Sequence, residues 1–105
     1  MTKLYLLNTS IIPNEGEYSF SRTTVSPELF EGREVVSAIG HASTAEVMTT
    51  LLGFNVEVNR IAITMEVGES ALVLKLNNRL REGKIITAEE MEVIGYAFYI
   101  LERTA

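Results

Sequence analysis

Residues able to do acid–base or phosphate chemistry fall in two short stretches of the chain. The only histidine lies in Ile39-Gly40-His41-Ala42-Ser43-Thr44, and imidazole is the side chain whose ordinary pKa suits proton transfer near neutrality. The spacing puts His41 between an apolar strand and a helix start. There, unpaired N–H groups and the positive end of the dipole favour anions such as phosphate. Gly40 leaves the backbone bare for close approach of a ligand, and Ser43 and Thr44 add hydroxyls. The second stretch holds Lys75, Arg79, Arg81 and Lys84, four of the nine basic residues, with Glu82 among them. Arginine suits planar, two-pronged contacts to phosphate. Each feature also has a plain structural reading: a surface histidine, a solvated loop in which Glu82 neutralises an arginine, and, for Arg60 after Asn59, a charge protecting a strand edge.

Composition narrows the chemistry. The chain has 105 residues, 47% of them hydrophobic, which suits one folded domain spanning 1–105. It has no Cys and a single His, and all 14 acidic residues are Glu. A disulfide framework, a thiol nucleophile, a histidine-rich metal centre and an Asp-based magnesium site are all excluded for one chain, so neither metal nor cofactor is expected. The net charge of −5 argues against broad binding to DNA or RNA, which wants a basic footprint. No stretch approaches the roughly 20 apolar residues of a membrane span, and no secretory leader is visible, so a cytoplasmic protein is expected. P-loop, G-x-G-x-x-G, G-x-S-x-G and H-E-x-x-H motifs are absent.

The elements that must carry these residues can be read from periodicity. Leu4–Leu7 reads as a strand buried on both faces and ending at Asn8. Turn chemistry at Pro13-Asn14-Glu15-Gly16 precedes a strand through Tyr18, Phe20 and Thr23-Thr24-Val25. Ser26-Pro27-Glu28 opens a short helical turn that stops near Gly32, and Val35–Ile39 is a further strand. Ser43-Thr44-Ala45-Glu46 fits a capping box for a helix bearing Val47, Met48, Leu51 and Leu52, with Gly53 past its end. Phe54, Val56 and Val58 alternate, then Ile61, Ile63 and Met65 alternate on the other parity, so the phase slips at Asn59-Arg60. A turn at Gly68-Glu69-Ser70 leads into Leu72, Leu74 and Leu76, predicting a hairpin. Thr87-Ala88-Glu89-Glu90 predicts a second capped helix ending near Gly95, and Tyr96–Leu101 a last strand whose aromatics belong to a core or an interface. The sum is a single α/β domain with a mixed sheet of about five strands flanked by short helices.

Leu6-Leu7-Asn8, Ser37-Ala38-Ile39-Gly40-His41-Ala42-Ser43-Thr44, Asn59-Arg60 and Arg79-Leu80-Arg81-Glu82-Gly83-Lys84 occur in the order and spacing of one family. The chain resembles the viral type III anti-CRISPR ring nucleases and their cellular, CRISPR-associated relatives, nearly end to end. The resemblance implies a homodimer that binds cyclic tetra-adenylate and cuts it, without a metal, into linear di-adenylates. It assigns His41 as general acid, Arg79 as phosphate stabiliser and Glu82 as a substrate-positioning group, with Asn8 and Arg60 as ligand contacts. Arg81 and Lys84, with Arg60 and Arg79 from two chains, would hold the ring, and Ser10 and Lys75 would add contacts. The chain departs from the family pattern at three places: Ser10-Ile11 is placed differently, Lys75 replaces an amide, and Ala42 replaces a polar residue.

Elementary chemistry is compatible with that implication. RNA is cut without metal when its own 2′-hydroxyl attacks the adjacent phosphorus, leaving a 2′,3′-cyclic phosphate. The route needs in-line positioning, stabilisation of phosphoryl charge and a proton for the departing 5′-oxygen. Two other classes remain open at this point: a module that sequesters an oligonucleotide intact, and a structural dimer.

Overall fold

A computed structural model describes residues 2–8, 14–76, 89 and 95–105. Strand β1 (Thr2–Leu7) is an interior strand of a five-stranded mixed sheet, because Leu4, Tyr5 and Leu6 are apolar on both parities and can be covered only from both sides. β3 (Arg33–Ser37) pairs with it in parallel on one side, with Leu4 opposite Val35 and Leu6 opposite Ser37. β4 (Ser70–Leu76) pairs in parallel on the other, with Leu4 opposite Ser70 and Leu7 opposite Val73. Beyond β4, β5 (Tyr96–Arg103) is antiparallel, and β2 (Tyr18–Thr23) closes the order β2-β5-β4-β1-β3. A 3₁₀ turn, Pro27–Phe30, starts after Ser26 with Pro in its first turn.

Helix α1 (Ala42–Leu52) lies on one face of the sheet. Ala45, Val47 and Met48 pack with Leu4, Leu6, Leu72, Leu74 and Phe98 into the main core. Burying side chains of this size stabilises the fold by about 1.5–3 kcal/mol each. Gly53 takes the left-handed conformation (φ 81°) that ends α1, and its N–H donates to the Thr49 carbonyl at 3.0 Å. The other face carries Tyr5, Ala71, Val73 and Leu101, covered by Met65 and flanked by Ile63. Burial, followed by the Glu69 carboxylate, holds the Tyr5 phenol above its ordinary pKa, so it stays a neutral group.

Three expectations differ from what the chain does. Residues 54–58 and 61–65 are not strands: the crossover from α1 to β4 is irregular. Their alternation buries Val56 and Met65, yet Val58 and Ile61 remain exposed, and neither segment joins the sheet ladder. Such alternation describes half-burial, which an irregular segment lying on a core also shows. Consequently there is no hairpin at Gly68-Glu69-Ser70; β4 takes its partners from β1 and β5. The phase slip at Asn59-Arg60 does mark a real feature, a tight turn in which the Ile61 N–H donates to the Asn59 carbonyl at 3.0 Å. The helix expected after Thr87 lies outside the described residues apart from Glu89, which is helical and exposed.

Candidate functional site at the carboxyl ends of the parallel strands

Because β1, β3 and β4 are parallel, their carboxyl ends lie on one edge of the sheet. Asn8 follows β1, the Ala38–His41 segment follows β3, and Lys75 sits near the end of β4. Edges of this kind are where open α/β sheets bind ligands, since the connecting segments diverge there and leave a crevice. The Ala38 N–H still donates to the Leu6 carbonyl at 3.0 Å, extending the β1–β3 ladder to the threshold of the helix. Asn8 is half-buried; His41 and Lys75 are exposed.

His41 is the N-cap residue of α1, with extended backbone (φ −129°, ψ 134°) and a carbonyl that accepts from the Ala45 N–H at 3.0 Å. This corrects the capping box expected at Ser43 to Glu46. The helix starts two residues earlier, so Ser43 is already inside its first turn, and no side chain caps the end. The first-turn N–H groups are therefore not occupied by a capping side chain, and His41 stands beside them. Thr44 is buried, while Ser43 is half-buried.

Arg60 reaches the same place from the crossover. A Cβ built on Gly40 would stand 3.4 Å from both Cγ and Nε of Arg60, so the arginine lies along the bare backbone next to His41. The segment bearing it is tied to the β3–α1 connection by a dense set of bonds. The Asn59 N–H donates to the Ile39 carbonyl (2.8 Å) and its side-chain amide to the Ser37 carbonyl (2.7 Å). Ser37 Oγ donates to the Glu57 carbonyl (2.6 Å) and accepts from the Ile39 N–H (3.3 Å). Upstream, Thr49 Oγ1 accepts from the Val56 N–H at 2.8 Å and donates to the Ala45 carbonyl at 2.9 Å, fastening the crossover to α1.

Lys75 is held differently, with its ammonium 5.9 Å from the centre of the Tyr99 ring, which in turn stacks on Phe20 at 4.8 Å. Sequence reading placed Tyr99 in a core or an interface and did not anticipate this contact; neither did it identify Asn59 and Ser37 as the residues that carry Arg60. Ser10, Arg79, Arg81, Glu82 and Lys84 lie outside the described residues. Among the described residues, no group of three or more His, Cys, Asp or Glu is placed to hold a metal ion, and no helix is long and apolar enough to cross a membrane. A separate groove of about 400 Å³ follows the outer side of β3, lined by Val35, Ser37, Phe54, Glu57 and Asn59 among others; Gly40, His41 and Arg60 do not line it.

Relatives of this chain come from viruses and from a bacterium. Protein ORF117 of Acidianus two-tailed virus is 38% identical over 108 residues, covering 95% of this chain and 92% of its own. Protein YddF of Bacillus subtilis is 29% identical over 106 residues, covering 96% and 97% respectively. The solved structure of B116 from Sulfolobus turreted icosahedral virus (STIV) superposes with a TM-score of 0.78 at 26% identity, covering 96% of this chain and 99% of that one. The match to the family model extends over residues 4–98, and on these grounds the chain belongs to the STIV B116-like family.

Proposed function

We propose that this protein is a metal-independent ring nuclease that binds cyclic tetra-adenylate at a dimer interface and opens it. One observation carries the reading: Gly40, His41 and Arg60 meet at the uncapped N-terminus of α1, on the carboxyl edge of the parallel strands. That edge offers a proton donor, a guanidinium and unpaired N–H groups to one phosphodiester. The 2′-hydroxyl of an adenylate loses its proton to solvent and attacks its own 3′-phosphorus, and the bond from phosphorus to the 5′-oxygen breaks. His41 gives the leaving oxygen its proton. Arg60, with Arg79 and the helix end, balances phosphoryl charge; Asn8, Ser10, Ser43, Lys75, Arg81, Lys84 and Glu82 contact or orient the ring. Two such cuts yield linear di-adenylates with 2′,3′-cyclic phosphate ends, which silences type III CRISPR signalling in the cytoplasm. The viral relative suits an immune evader acting in its host; the Bacillus subtilis relative suits a cellular enzyme controlling its own signal.

The test is single-turnover cleavage of cyclic tetra-adenylate in excess EDTA. Wild-type protein is expected to open the ring, and His41→Ala to slow the chemical step by about 10²–10⁴-fold, as removal of one acid–base group does. No cleavage by the wild type removes the enzymatic reading. Sequestration of the intact ring is the alternative, favoured by one detail: the His41 side chain makes no capping hydrogen bond that would fix it at the helix end. Recovery of uncut ligand from a tight wild-type complex would decide for it.

A further inference from the structure

We infer that Asn59 is a positioning residue: it fixes the Arg60 guanidinium across Gly40, beside His41, through its bonds to the carbonyls of Ser37 and Ile39. The inference rests on the ring-nuclease reading for its functional consequence, but its geometry stands independently of it. Arg60 is exposed, and an exposed arginine normally spreads over many rotamers. Here its Cγ and Nε both lie within contact distance of where a Gly40 Cβ would stand. Twenty residues of chain separate the two, and nothing local in sequence brings them together.

Asn59 supplies the connection with its backbone N–H, its carbonyl and its side-chain nitrogen. Its N–H donates to the Ile39 carbonyl at 2.8 Å and its side-chain amide to the Ser37 carbonyl at 2.7 Å, one and three residues before Gly40. Its own carbonyl accepts from the Ile61 N–H at 3.0 Å, which makes Arg60 the tip of a three-residue turn. The tip is therefore aimed by a residue bonded to the same short segment that carries His41. An aspartate has the same shape but turns an oxygen toward the Ser37 carbonyl, so it repels where asparagine donates. The amide nitrogen is the feature required.

A double-mutant cycle on the full chain separates positioning from mere stabilisation of the crossover. Cyclic tetra-adenylate affinity is measured for wild type, Asn59→Ala, Arg60→Ala and the double variant, with Arg60 Nε–H order followed by NMR relaxation. Asn59→Ala is expected to loosen the Arg60 side chain and weaken ring binding by up to about a hundredfold, the effect of a misplaced contact group. In the Arg60→Ala background the same change should cost nothing more. An equal loss in both backgrounds, or an Arg60 side chain as ordered in Asn59→Ala as in wild type, would overturn the inference. Should Asn59→Ala fail to fold, Asn59→Asp takes its place with the same expectations. If the wild type does not bind the ring, the proposed function falls, and the Arg60 order measurement alone decides whether Asn59 positions it.

Discussion

At the N-cap of α1 His41 uses its backbone for the helix and leaves its imidazole free of that duty. A side chain in this position meets whatever the first-turn N–H groups bind, so an anion held there is within its reach by construction. Gly40 is the complementary case, valuable for what it lacks. Its backbone is outside the positive-φ region, so alanine is conformationally acceptable, and the new methyl would stand at ordinary contact distance from Arg60. Gly40→Ala is therefore expected to leave stability within about 0.5 kcal/mol of wild type, as for an innocuous surface change. Ring affinity, in contrast, should drop, because the methyl fills the strip of backbone that a ribose-phosphate would approach. Thermal unfolding beside isothermal titration checks both halves; unchanged affinity would show that the ligand does not approach over Gly40. At this scale the sequence made the Gly40-His41 pair legible, since its residue types are themselves the chemistry. It did not reveal that Arg60 lies against Gly40, because that contact depends on hydrogen bonds formed by Asn59 and Ser37 across about twenty residues.

Helix α1 and the crossover behave as one device, joined at Thr49. Its hydroxyl accepts from the Val56 N–H at 2.8 Å, and Val56 is 5% exposed, so that N–H has little access to water. Thr49→Val keeps the shape and removes the acceptor, and a buried donor left unpaired costs about 1–3 kcal/mol. Chemical denaturation should show a loss of that size, with hydrogen exchange fastest gained along 56–61; a variant as stable as wild type would mean that Val56 finds another partner. The same region explains which elements the sequence disclosed. β1 and β5 are continuous apolar runs whose burial leaves few alternatives, and Gly53 marks the end of α1 because only glycine adopts its φ of 81° cheaply. The start of α1 departs from the capping-box pattern, which is a local rule: the helix begins at Ala42, after an N-cap His41 whose carbonyl accepts from the Ala45 N–H. Residues 54–65 misled for a similar reason. Alternation reports which side chains face a core, but a strand also needs a ladder, and residues 54–65 pair with none of the five strands.

At the scale of the molecule, charge and symmetry set the terms. A net charge of −5 repels bulk nucleic acid, so a ligand must be small enough to be met by a few local cations. A ring of four equal nucleotides matches the proposed two-fold dimer, which would present two identical sites to opposite phosphodiesters. If each subunit supplies one complete set of cleaving groups, then each subunit makes one cut. That relation can be read directly from mixed dimers. Wild-type and His41→Ala chains carrying different tags are co-expressed, and the heterodimer, at twice the 11.7 kDa chain mass, is isolated by tandem purification. In a single turnover with enzyme in excess, the mixed dimer should open the ring once and accumulate linear tetra-adenylate ending in a 2′,3′-cyclic phosphate. The wild-type dimer should pass through that species to di-adenylate. Accumulation requires only that the second bond lie over the subunit lacking His41, so re-seating of the linear product governs how long the intermediate persists. Di-adenylate formed by the mixed dimer as fast as by the wild type would refute one cut per subunit. It would instead place both cuts under a single His41, with the ring turning between them.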